Sequence, residues 1–294
     1  MTTGGFMTRP LGPAGPPHAG DEAVAWKTGV LLRHSVTRLG RALAVMAASL
    51  ATFQVLLAMA AAELQRQGTF EQLANLIPSF VRDLFGSALV SMMSFSGIMA
   101  LGYYHVAIVA VLVGLVVAIA TEPAAEVETG FADLVLARAV SRAAVTTRSV
   151  LLLVLGPAFV VGTMAAGTFA GLWWAAPAGA TRPAASLVWA LAFSLWSLLV
   201  CWGAVSLAIS AVSRRRAVAA GITGSAAAAL MLIDYLSRVW KPLRGIARIA
   251  PFHYYNPLDL VMGKPLPAGD IGILLGTAAA ATAVAYVLFH RRDI

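Results

Sequence analysis

Charge is what this chain has least of. Of its 294 residues, 12% are Asp, Glu, Lys or Arg, about half the usual share in a soluble domain. That scarcity excludes an ordinary water-soluble globule. Cysteine is nearly absent too, since Cys201 is alone and sits inside an apolar run. One thiol makes neither a disulfide framework nor a Cys-based metal site. His18, His34, His105, His253 and His290 are scattered without ligand spacing, so no metal chemistry is indicated. A phosphate-cradling loop needs Gly-Lys followed by Ser or Thr. The three lysines are Lys27, Lys241 and Lys264, and the one Lys-Thr pair, Lys27-Thr28, follows Trp26. The first twenty residues, rich in Gly and Pro, hold no apolar core of a cleavable signal peptide. Residues 1–21 read as a disordered tail. No nucleophile stands in a recognisable setting with a base, so no enzyme activity is indicated.

Apolar residues make up the difference. They are 60% of the chain, and the mean hydropathy is +0.82. Six runs reach the roughly 20 residues that a helix needs to cross a bilayer core. They cover about Arg41–Ala62, Gly97–Ala120, Ser149–Ala175, Ser186–Ala211, Ala217–Tyr235 and Ile271–Phe289. A helix keeps its backbone hydrogen bonds internal, as a bilayer demands. The expected fold is an all-α polytopic membrane protein. The net charge of +8 comes from Lys and Arg lying mainly between these runs, where topology explains them without nucleic acid. Arg214, Arg215 and Arg216 after span four, with Arg138, Arg142 and Arg148 after span two, favour both termini inside. The last outer segment, with Arg238, Lys241, Arg244 and Arg248, runs against that bias.

Ahead of the first span, residues 21–43 place Leu32, Val36, Leu39 and Leu43 on one line and Lys27, His34, Arg38 and Arg41 on another. This predicts an amphipathic helix on the inner surface. Residues 126–142 ("EVETGFADLVLARAVSR") carry Glu126, Glu128, Asp133, Arg138 and Arg142. On insertion scales these outweigh the apolar residues among them by roughly 10 kcal/mol, which keeps the stretch out of the bilayer core. Val127, Phe131, Leu134 and Val135 nevertheless follow helical spacing, with Gly130 as a break. Such a helix either joins spans two and three or docks on a cytoplasmic partner. In span two, Tyr103, Tyr104 and His105 are either bonded between helices or form a wall of a translocation path. Gly156-Pro157 in span three is the candidate helix break. Ala220, Gly221, Gly224 and Ser225 in span five allow close helix approach, within the chain or across a dimer. Trp173 and Trp174 fit an interfacial belt. Trp189, Trp196 and Trp202 read as lipid-facing or packing residues, and His253, Tyr254 and Tyr255 as a lid or cap.

Residues 126–142 resemble the stretch after span two in permease subunits of ABC-2 type ABC transporters. Glu126, Glu128, Gly130, Leu134, Leu136, Ala137, Arg138, Val140, Ser141 and Arg142 match that family's pattern without a gap. Arg148 stands where a Lys usually follows, and Ala139 replaces a proline. "SRRRAVAAGITG" and "APFHYYNPLDLVMG" resemble two weaker stretches of the same family. The resemblance implies a six-span permease domain over 22–294 in a bacterial cell membrane, paired with a second permease chain. It also implies a separate cytoplasmic ABC ATPase carrying ATP and Mg, with no cofactor on this chain. Glu126, Glu128, Gly130, Phe131, Leu134, Arg138 and Arg142 would form the ATPase-coupling element. The alternatives are an ATP-independent transporter or channel, or a membrane-embedded assembly factor or enzyme.

Overall fold

A computed structural model describes residues 19–68, 92–130, 141–176 and 182–291; the side chains of residues 19–36 and of Arg38 fall outside that description. Among the described residues the chain is all-helical, and six helices are long and apolar enough to cross a membrane. Span one is the second part of α1 (Ala19–Arg66). Span two comprises α2 (Phe95–Tyr104) and α3 (Val106–Ala120), and the short α4 (Glu122–Glu128) follows at once. Spans three to five are α5 (Arg142–Ala175), α6 (Ala185–Val212) and α7 (Arg216–Ser237). A 3-10 turn at Lys241–Leu243, α8 (Arg244–Ala247), a second 3-10 turn at Pro251–Tyr254 and α9 (Pro257–Val261) lead to span six, α10 (Ala268–His290).

Two expectations change. The helix before span one is not a separate element, because α1 runs without interruption from Ala19 to Arg66. Nor does Gly156-Pro157 break span three, since α5 continues through both. A proline withholds one N–H and crowds the carbonyls of the preceding turn. Here Trp196 Nε1 donates to the Val154 carbonyl at 3.1 Å, so a neighbouring helix takes up a group in that turn. Span three also starts earlier than its apolar run, because Ser141 caps it, its side chain accepting from Ala144 N–H at 3.2 Å.

Span four is the axis of the bundle: 72% of its most apolar window is buried inside the chain, against 22% for spans five and six. Leu195, Leu198, Leu199 and Trp202 of span four are buried with Leu112 and Val116 of span two and Val160 and Met164 of span three. Spans one and three approach most closely. A Cβ at Gly167 would stand 2.5 Å from the Ala51 carbonyl oxygen, and one at Gly171 would stand 2.5 Å from Ala58 Cβ. Only glycine permits that separation. A Cβ at Gly221 or Gly224 of span five, by contrast, would meet nothing within 4 Å among the described residues, whereas Ala220 packs against the core.

Candidate functional site at the charged end of the bundle

The helix α4 begins where span two ends and puts Glu122 and Glu126 one turn apart, on one face. That face turns inward. Glu126 forms a two-pronged pair with Arg148 of span three, Oε1 to Nη1 and Oε2 to Nη2, both at 2.8 Å. Arg148 is 1% exposed. Glu122 Oε1 lies 3.1 Å from Arg216 Nη2 at the start of span five, and the same nitrogen donates to the Ala118 carbonyl. Arg215 gives span five no side-chain cap, and Glu128 Oε2 supplies the acceptor by taking the Arg216 backbone N–H at 2.9 Å. A carboxylate suits the positive end of a helix dipole. Ser210 Oγ of span four accepts the Ala124 N–H at 3.3 Å. A helix of seven residues is thus fastened to three spans.

Beyond Glu128 the helix stops as the sequence predicts. Thr129 N–H donates to Ala125 O, Gly130 N–H donates to Val127 O, and Gly130 takes φ +68°. That conformation disfavours any side chain, which explains glycine here. Arg142, at the start of span three, donates to the His290 carbonyl at 3.2 Å and joins span three to the end of span six. Of the expected coupling residues, Glu126, Glu128, Gly130 and Arg142 therefore collect at this end, while Phe131, Leu134 and Arg138 lie outside the described residues. Glu126 faces into the chain and not outward.

No family model, curated protein or solved structure matches the chain.

Glu122, Arg148 and Arg216 were not singled out as site residues from the sequence. A signal was there: two acids four apart directly after an apolar run, and an arginine seven residues inside the next helix. Arg216 has more to do than set topology, since it holds both Glu122 and Glu128. Removing one member of a buried ion pair strands the other charge, at a cost of about 3–5 kcal/mol. These pairs tie the short helix to spans three and five.

Tyr103, Tyr104 and His105 lie towards the other end and do not share one surface. Tyr103 is fully buried and its hydroxyl bonds Thr168 Oγ1 of span three at 2.9 Å. The Tyr104 hydroxyl donates to the Gly97 carbonyl of its own helix at 3.0 Å. His105 is exposed and extended, with ψ 123°, and it breaks span two. Two of the groups freed by the break find side-chain partners. His105 Nδ1 accepts the Ala107 N–H at 3.3 Å, and the Tyr103 carbonyl accepts the hydroxyl of buried Tyr255. In an unbroken helix that carbonyl would have taken the N–H four residues on. Burial, and Tyr103 nearby, raise the Tyr255 phenol above its ordinary pKa, so it stays a donor. The segment 253–255 is thus a structural cap: Tyr254 donates to the Arg248 carbonyl, and His253 Nδ1 lies 3.4 Å from Asp234 Oδ1.

Proposed function

We propose that the chain is the permease subunit of an ATP-driven ABC-2 exporter, lying in a bacterial cell membrane with its charged end and both termini in the cytoplasm. A second permease chain completes the translocation path, and a separate ATPase binds ATP and Mg. The observation that carries this reading is the fastening of α4 to spans three, four and five through Glu126–Arg148, Ser210 and Glu122–Arg216. A push on the adjoining 129–141 segment is delivered to several spans at once instead of being lost in a loose loop. In this reading Phe131, Leu134 and Arg138 offer the ATPase its contact, and Glu126, Glu128, Gly130 and Arg142 hold that contact in place.

Gentle solubilisation should bring down an ATPase with the chain. Replacing Glu128 and Phe131 together should leave the chain inserted and lower cargo-stimulated ATP hydrolysis. Unchanged stimulation rejects the docking role. The break at His105 favours a second reading, because ATP-independent transporters build their paths from interrupted spans. Transport by proteoliposomes containing this chain alone, at the same rate with and without ATP, would establish that alternative.

A further inference from the structure

The described residues between spans five and six present a surface that the coupling reading leaves unused. In residues 238–249, Val239 is 85% exposed, Trp240 61% and Ile249 75%, and Ile246 is also exposed. Lys241, Arg244 and Arg248 are exposed among them. Such large apolar side chains gain nothing from standing in water. Their order is not random. Ala247 and Ala250, three apart, are fully buried against the bundle. Ile246 and Ile249, three apart, form a second stripe, and Arg244 and Arg248, four apart, a third. Turn bonds from Ile249 N–H to Ile246 O and from Ala250 N–H to Ala247 O maintain that helical spacing.

Depth decides what covers this surface. Span five has 22 residues, which at 1.5 Å each gives about 33 Å, close to the roughly 30 Å of a bilayer core. Its last turns expose Leu232, Tyr235 and Leu236, and Val239 and Trp240 continue that exposed apolar run past the end of the helix. Arg238 is engaged by Asp234 at 3.1 Å. Lys241, Arg244 and Arg248 form no ion pair among the described residues, and the segment from 238 to 250 holds no acid. We propose that residues 238–249 bind the anionic phospholipids of the leaflet at this end of the bundle. Trp240, Ile246 and Ile249 sit at the acyl boundary, and Lys241, Arg244 and Arg248 meet the phosphates. This also accounts for a basic segment on the side that topology would leave uncharged. It requires only that the six helices span a bilayer, not that the chain is a permease.

Two measurements on the full chain test it. In native mass spectrometry from mixed phosphatidylglycerol and phosphatidylcholine nanodiscs, the wild type should retain phosphatidylglycerol preferentially. The K241Q/R244Q/R248Q variant should lose that preference by roughly fivefold per cation removed. Equal retention of the two lipids by the wild type, or a variant that behaves as wild type, overturns the proposal. Independently, a spin label on Ile249→Cys should be accessible to oxygen in the bilayer and shielded from an aqueous nickel chelate. Access to the chelate would place the segment in water. Shielding from both reagents would mean that a second copy or another protein covers it. Either result rejects the lipid assignment.

Discussion

The two ends of this bundle are held by different chemistry. At one end, carboxylates and guanidinium groups lock α4 to its neighbours, Glu126 to Arg148 and Glu122 to Arg216. At the other, neutral groups surround the broken span: Tyr103 meets Thr168, Tyr255 reaches the Tyr103 carbonyl, and the Trp202 and Phe252 rings lie 5.5 Å apart, while the ions there, Asp234 with Arg238 and His253, sit at the end of span five. The contrast is one of tolerance. A buried charge left alone is far costlier than a buried hydroxyl left alone, so the charged end should fail as a unit while the aromatic end loosens locally. The proposed coupling role would draw on the first behaviour. An end that contains a break in a span requires only the second.

The sharpest way to break the comparison is Arg148→Met. It should destabilise the chain by about 3–5 kcal/mol, read as a lower thermal midpoint and poor recovery of folded protein. Adding Glu126→Leu should return most of that loss, because no charge is then stranded and Arg148 Nε has no acceptor among the described residues to begin with. If the double variant is as poor as the single, the pair is not the fastening. A smaller loss is expected between the ends, where Gly167→Val drives a side chain into the Ala51 carbonyl. Overpacking of that kind costs about 1–3 kcal/mol, and crosslinking yield between spans one and three would report their separation. The smallest effect belongs to the aromatic end. Tyr255→Phe leaves the Tyr103 carbonyl without its donor, at about 1–2 kcal/mol. Faster hydrogen exchange should appear around residues 105–109 and not in α4. Faster exchange in α4 as well would show that the two ends are not independent.

The six spans were legible because apolar length is a local property, and every span begins and ends within a few residues of its apolar run except span three, which begins seven residues earlier. Gly130 was legible for the same reason, as a lone glycine in a helical pattern that ends the helix there. The break at His105 was not. No proline or glycine stands at the break, and it persists because Tyr255, far along the chain, satisfies the carbonyl it frees. Pro157 misled in the opposite direction, since Trp196 of another span supports the turn it disturbs. The inward turn of Glu126 was hidden likewise. The insertion cost of residues 126–142 treats each charge as unpaired, whereas Arg148, 22 residues on, answers Glu126 directly.

That pairing also sets an order of assembly. When span two has been synthesised and inserted, Glu126 waits at the membrane edge without its partner, because Arg148 still lies ahead of it in the chain. Only when span three begins to enter can the two charges neutralise each other, and each then lowers the cost of placing the other. Spans two and three thus mature as a hairpin. A nascent chain interrupted between them would carry Glu126 without the guanidinium that answers it.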